Sequence, residues 1–313
     1  MYLVKYSIVF LASYSGLLRL FYTSETLTTF YQYSMTDVVA DESSLLLPQS
    51  SASIKDGDVP FSIWRDLAGL TRQTIPICLS FALQNAVQAI SALTAGRLGS
   101  FELEVTSFGF MFFSCTGTMV AIGGATALDT LCAQAFASHK VTGNGKILGL
   151  LLQQCLLVLL GIFSLLIAPI WVFSDRIFVS LGQQHDFAIA TGRFMLFMLP
   201  SGMLQVVAEC LKKYLQVQGE SSIVGSLTAA TSAVGVLLNF VLVRWTRLRL
   251  WGVPCAFCLY QLLTVVALLC VIAYKPATRE TWHRPTVGAL KGMSRLLWYA
   301  VTGILTIATE WWR

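Results

Sequence analysis

The stretch VTSFGFMFFSCTGTMVAIGGATAL, Val105–Leu128, runs twenty-four residues without a charge and ends at Asp129. A helix needs about 20 apolar residues to cross the hydrocarbon core of a bilayer, so this run is long enough to span. Four more charge-free runs share its character: Gln73–Gly96, Ile147–Ser174, Ser221–Val243 and Leu250–Tyr274. Two shorter ones, Phe194–Ala208 and Leu296–Thr309, reach spanning length only if flanking polar residues snorkel or face the bundle interior. The sequence therefore predicts seven spans. The runs lack the period-2 alternation and regular turns of a membrane barrel. Their internal Gly and Pro are tolerated in membrane helices when neighbours satisfy the freed backbone groups. The expected fold is an all-α integral membrane protein.

Composition points the same way. The chain is 56% hydrophobic and 12% charged, whereas soluble domains carry roughly 25% charged residues. Its formal charge of +5 reflects topology, not a nucleic-acid surface. Residues 1–24 hold a thirteen-residue apolar stretch, Tyr6–Leu18, between Lys5 and Arg19. An interfacial helix, a mis-assigned gene start and a signal or span all remain open for it. Residues 25–64 read as a disordered cytosolic tail. Within them DESSLLLP, Asp41–Pro48, has the layout of an acidic di-leucine sorting signal, with Asp41, Glu42, Leu45 and Leu46 as its parts. The plainer alternative is an apolar triplet in a tail. Residues 65–275 are expected to form a six-helix lobe, 276–295 a cytosolic loop and 296–313 the start of a seventh span.

Orientation follows from the basic residues. With the tail inside, twelve Lys and Arg fall on the cytosolic side and seven on the other, which favours an inside N-terminus. The cluster RWTRLR, Arg244–Arg249, runs against that count. Asp129 then lies where the second span emerges. After it, Leu131, Cys132, Ala135 and Phe136 continue an amphipathic face. The acid reads as the cap of an in-plane helix, opposing its dipole, or else as a direct transport residue. Gln84, Asn85, Gln88 and Ser91 put polar groups on the otherwise apolar first span, with Gln84, Gln88 and Ser91 at i, i+4, i+7. They read either as interhelical glue or as substrate contacts. Glu209 beside Lys212 and Lys213 reads as an interfacial ion pair.

Other chemistry is not called for. Eight cysteines are scattered mostly through the spans, and Cys255 and Cys258 have no second pair to complete a zinc site. His139, His185 and His283 show no ligand spacing. There is no phosphate-binding loop, no clustered catalytic set, and neither of the motifs expected of a seven-span receptor. No enzyme activity, metal or cofactor is expected.

Five stretches, in order, resemble signatures of the multidrug and toxin extrusion (MATE) transporters in their eukaryotic, fungal-type branch. ALDTLCAQAFASHK, with Asp129, Thr130 and Gln134, is similar to that family's ALDTLCGQAYGA. AGRLGSFELEVTSFG (Ala95–Gly109), LGQ (Leu181–Gln183), CLKKYLQVQG (Cys210–Gly219) and TEWWR (Thr309–Arg313) resemble the other four. The chain departs from the pattern at Arg97, at Glu104 and at Thr302, where the family has His, Ala and Pro. The resemblance implies a secondary antiporter that exports organic, often cationic, compounds in exchange for H⁺ or Na⁺. Glu310 is then the candidate ion-coupling residue, and Gln84, Asn85, Gln88 and Ser91 the candidate substrate path. It also implies two six-helix lobes. A chain ending at Arg313 is expected to be a truncated product, inactive unless completed or paired with a second copy as a dimer, or else a non-transporting membrane fragment or scaffold. The expected partners are the lipid bilayer, small organic substrates and sorting adaptors. The expected location is the vacuolar or the plasma membrane.

Overall fold

A computed structural model describes residues 63–142, 146–246, 248–275, 278, 281–282 and 293–311. The expectations for residues 1–24, for most of the 25–64 tail and for the sorting stretch at Asp41–Pro48 lie outside the described residues, as does most of the 276–295 loop. Every regular element described is helical. In chain order these are α1 (Ile63–Gly96), α2 (Ser100–Phe113), α3 (Met119–Thr142), α4 (Lys146–Ile162), α5 (Ala168–Val172), α6 (Ser174–Ser180), α7 (His185–Val217), α8 (Ser221–Trp245), α9 (Gly252–Tyr274) and α10 (Met293–Trp311). A π-helical turn at Ser114–Thr118 joins α2 to α3, and another at Phe163–Ile167 joins α4 to α5.

Among the described residues six helical segments are long and apolar enough to cross a membrane: Thr74–Gly96, Ser100–Phe136, Ile147–Val172, His185–Val217, Ser221–Trp245 and Arg249–Tyr274. They coincide with six of the seven predicted spans. The short run Phe194–Ala208 proves to be the middle of the 33-residue α7, whose polar ends hide its length from a charge-free count. The seventh segment does form a helix, α10, but is not among the six. Thr302, Thr306 and Thr309, with Arg295 and Glu310 at its ends, dilute its apolar character.

The outer face of the bundle is apolar. Leu93, Leu165 and Leu237 are 68%, 77% and 65% exposed, a surface suited to lipid. Lipid contact removes the usual hydrophobic drive between helices, so close packing and internal hydrogen bonds must hold the bundle together. α7 does most of this, packing against α2, α3, α4, α6, α8 and α9. Its partners form an aromatic layer in which fully buried Trp171 stacks at 5.3 Å from both Phe113 and Phe163. The indole Nε1 donates to Thr116 Oγ1 at 2.9 Å, inside the first π turn. A Cβ on Gly117 or Gly202 would come within 3 Å of the Trp171 ring, so both helices need glycine to admit it.

Two chain reversals fall within the signature stretches. Gly182 of LGQ has φ +82° and Gly219 of QVQG has φ +87°. Both sit in the left-handed region that ends a helix and favours glycine. Beyond α9, Thr281 Oγ1 lies 2.7 Å from the Tyr214 hydroxyl and donates to Gln218 Oε1. Trp282 packs edge-on against Tyr214, so this part of the predicted loop docks on the end of α7.

α10 lies along α3 and α4. A Cβ added to Gly123 would meet Ile304 Cα at 2.7 Å, and one added to Gly303 would meet the Gly123 carbonyl oxygen at 2.3 Å. The backbones of α3 and α10 thus touch through paired glycines, the small-residue contact that membrane helices use.

Candidate functional site

Polar groups inside a bundle of this kind are costly and therefore informative. They gather on α7, where the cationic Lys212 and Lys213 are adjacent and reach apart. Lys212 Nζ sits 2.5 Å from Glu209 Oε1, one turn earlier on the same helix. Both residues are nearly sealed, Glu209 at 5% and Lys212 at 6% exposure. The same ammonium lies 3.5 Å from Gln84 Oε1 on α1, at the outer limit of a hydrogen bond. Lys213 Nζ instead reaches α3 and meets Asp129 Oδ2 at 2.6 Å, in a half-exposed pair. Among the described residues Glu209 therefore pairs with Lys212 and not with Lys213, and the pair is buried between helices.

The cap assigned to Asp129 is overturned. α3 runs unbroken from Met119 to Thr142, so Asp129 lies mid-helix with no unpaired N–H groups to accept. No Gly or Pro interrupts residues 125–142, and fully buried Cys132 keeps the following turn inside the bundle. No separate in-plane helix begins there. Of its signature neighbours, Thr130 and Gln134 are exposed, and Thr130 Oγ1 donates back to the Thr126 carbonyl. ALDTLC and CLKKYLQVQG are thus joined physically: Asp129 of the first is the counter-ion for Lys213 of the second.

The polar stripe of α1 divides between two partners. Gln84 faces Lys212 of α7. Ser91 is fully buried and accepts from Asn239 Nδ2 of α8 at 2.7 Å, while Thr94 Oγ1 donates to Asn239 Oδ1 at 2.7 Å. Both ends of that amide are satisfied, so the α1–α8 contact is an interhelical clasp, drawn tight where Gly225 meets the Pro76 backbone. Asn85 is exposed and donates to the Phe81 carbonyl of its own helix; Gln88 is half-buried. Glu310 is exposed near the end of α10. Among the described residues no hydrogen bond or ion pair links it to Gln84, Asn85, Gln88 or Ser91.

Sequence reasoning passed over Asn239 and Thr94. Asn239 is the sole amide in the run Ser221–Val243, and a single amide in an apolar span was the signal available. It also gave no role to Gln205, which reaches the first π turn at Thr118 Oγ1, 3.2 Å away. In the RWTRLR stretch, Arg244 lies 5.9 Å over the Phe240 ring and Arg249 adopts φ +50°.

The bundle and its paired internal charges define a multi-pass integral membrane protein. Comparison with known proteins gives the particular kind. The MatE family model matches residues 76–242, more than half of the chain, and the chain belongs to the MATE family. Protein DETOXIFICATION 16 of Arabidopsis thaliana is 32% identical over 237 residues, covering 76% of this chain and 48% of that protein. Uncharacterized transporter C4B3.13 of Schizosaccharomyces pombe is 30% identical over 251 residues, covering 80% and 46%. The crystal structure of the eukaryotic MATE transporter AtDTX14 superposes with a TM-score of 0.73 at 21% identity, covering 79% of this chain and 54% of that one. The chain thus spans about half the length of the curated relatives it matches.

Proposed function

We propose that residues 65–275 are the first lobe of a secondary antiporter that exports small organic compounds, often cations, against entry of H⁺ or Na⁺. α10 is the first helix of the second lobe in this reading. The observation that carries it is the polar set between the helices, Gln84 with the buried Glu209–Lys212 pair and the half-exposed Asp129–Lys213 pair, in a chain of this family. Polar groups of this kind mark ion and substrate pathways in membrane proteins. Alternating access rocks two halves around a site between them, so the activity belongs to the two-lobe arrangement. Glu310 serves as the ion-coupling carboxylate, since it lies exposed on α10 and unpaired among the described residues.

The test is ethidium efflux from a sensitised host by the chain fused to a second lobe from a relative. Efflux is expected from the fusion, not from the 313-residue chain alone, and Glu310→Gln is expected to abolish it. Efflux from the fusion that survives Glu310→Gln would remove the coupling role. Efflux from the short chain would transfer the second lobe's part to another copy of it. For location, Leu45→Ala with Leu46→Ala is expected to divert a fluorescent fusion from the vacuole to the cell surface. An unchanged location would reduce that stretch to tail composition.

A further inference from the structure

Cys155 on α4 and Cys210 on α7 place their sulfurs 3.9 Å apart, and each residue is fully buried. They are 55 positions apart in the chain and meet only because α4 packs on α7. Buried apolar residues lie one turn away on each helix, Leu152 and Leu159 on α4 and Val206 on α7, while the Glu209–Lys212 pair adjoins Cys210 along α7. Cys132 of α3, also fully buried, lies within electrostatic reach of both sulfurs. Among the described residues no three His, Cys, Asp or Glu side chains are grouped to hold a metal ion. A zinc-like ion, which takes four ligands and deprotonated thiols, is therefore poorly served. Two thiolates and a divalent cation would also have to be desolvated there.

We propose that Cys155 and Cys210 form a dithiol site for trivalent organoarsenicals, a neutral and lipid-soluble class of thiol-seeking compound. The condensation suits this environment because it leaves no charge. Two As–S bonds form, and the arsenic–oxygen bond breaks. The oxygen leaves as water, carrying both thiol protons, and arsenic stays trivalent throughout. Two sulfurs already in contact need only small side-chain rotations to share one arsenic atom. Entry is from the bilayer, through apolar helix contacts that exclude charged reagents. The bridge ties α4 to α7 within the lobe, and the proposal does not depend on export.

The probe is phenylarsine oxide, applied to the purified full chain in detergent. Intact-mass spectrometry is expected to show one phenylarsenic group gained, with two hydrogens lost, per chain. Digestion of the wild-type adduct should give a bridged peptide containing Cys155 and Cys210. A small dithiol should reverse the adduct, and excess monothiol should not. Cys155→Ala and Cys210→Ala should each abolish it, whereas Cys132→Ala, and Cys255→Ala combined with Cys258→Ala, should retain it. Absence of a mass gain would overturn the proposal. So would a bridge mapped to Cys255 and Cys258, which lie one helical turn apart on α9 and serve as the internal competitor. Peptide mapping of the wild type decides the matter even if an alanine variant fails to fold.

Discussion

Glu209 and Lys212 carry opposite charges in a place where neither is tolerable alone. Removing one partner of a buried ion pair costs about 3–5 kcal/mol, whereas replacing both with apolar residues of similar size is often neutral. Glu209→Gln is therefore expected to lower the thermal midpoint of the purified chain sharply, and Glu209→Leu with Lys212→Met to restore most of it. A Glu209→Gln variant as stable as wild type would mean that Lys212 has another counter-charge. The half-exposed Asp129–Lys213 pair should behave differently. Exposed pairs contribute about 0–1 kcal/mol, so Asp129→Asn should shift the midpoint little; a large loss would show that the pair is sealed from solvent. These residues also mark the limit of sequence reading. Glu209 and Lys212 are one turn apart on one helix, so local spacing reveals their pairing. Asp129 and Lys213 are 84 positions apart, and Ser91 and Asn239 148 apart. Only the packing of helices brings those together.

At the scale of elements, hydrophobic run length located six of the helices because spanning requires it. It misjudged two boundaries for stated reasons. α7 extends past its apolar middle with Glu209 and Lys212 packed inside the bundle at its C-terminal end and with His185, Asp186 and Arg193 exposed at its N-terminal end. α3 continues past Asp129 because a salt bridge to α7, not a chain reversal, accommodates the acid. The π turns at Ser114–Thr118 and Phe163–Ile167 left no periodic mark in the sequence, since one inserted residue per turn does not disturb a charge-free run without amphipathic alternation. The docking of α10 depends on Gly123 and Gly303. Gly303→Leu is expected to push α10 off α3, since its Cβ alone would overlap the Gly123 carbonyl. A disulfide engineered between the two helices next to that crossing should form readily in the parent and lose most of its yield in Gly303→Leu. Undiminished cross-linking would place α10 elsewhere.

At the scale of the molecule, the family and six spanning helices were legible because the five signature stretches keep their order and those spans keep their length. Which helices touch was not, and that is where the candidate site lies. The central claim is that this chain forms the first lobe of an exporter, set in the bilayer with the Asp129–Lys213 end toward the cytosol. Glycan acceptors tested one at a time measure it directly, because only luminal sites are modified. An acceptor engineered into the Ser174–His185 connection, which holds the short α6 and the turn at 181–184 before α7, is expected to be glycosylated, and one placed near Asn144 to remain unmodified. The reverse pattern would contradict the orientation of every helix, and with it the direction of transport that the account assigns.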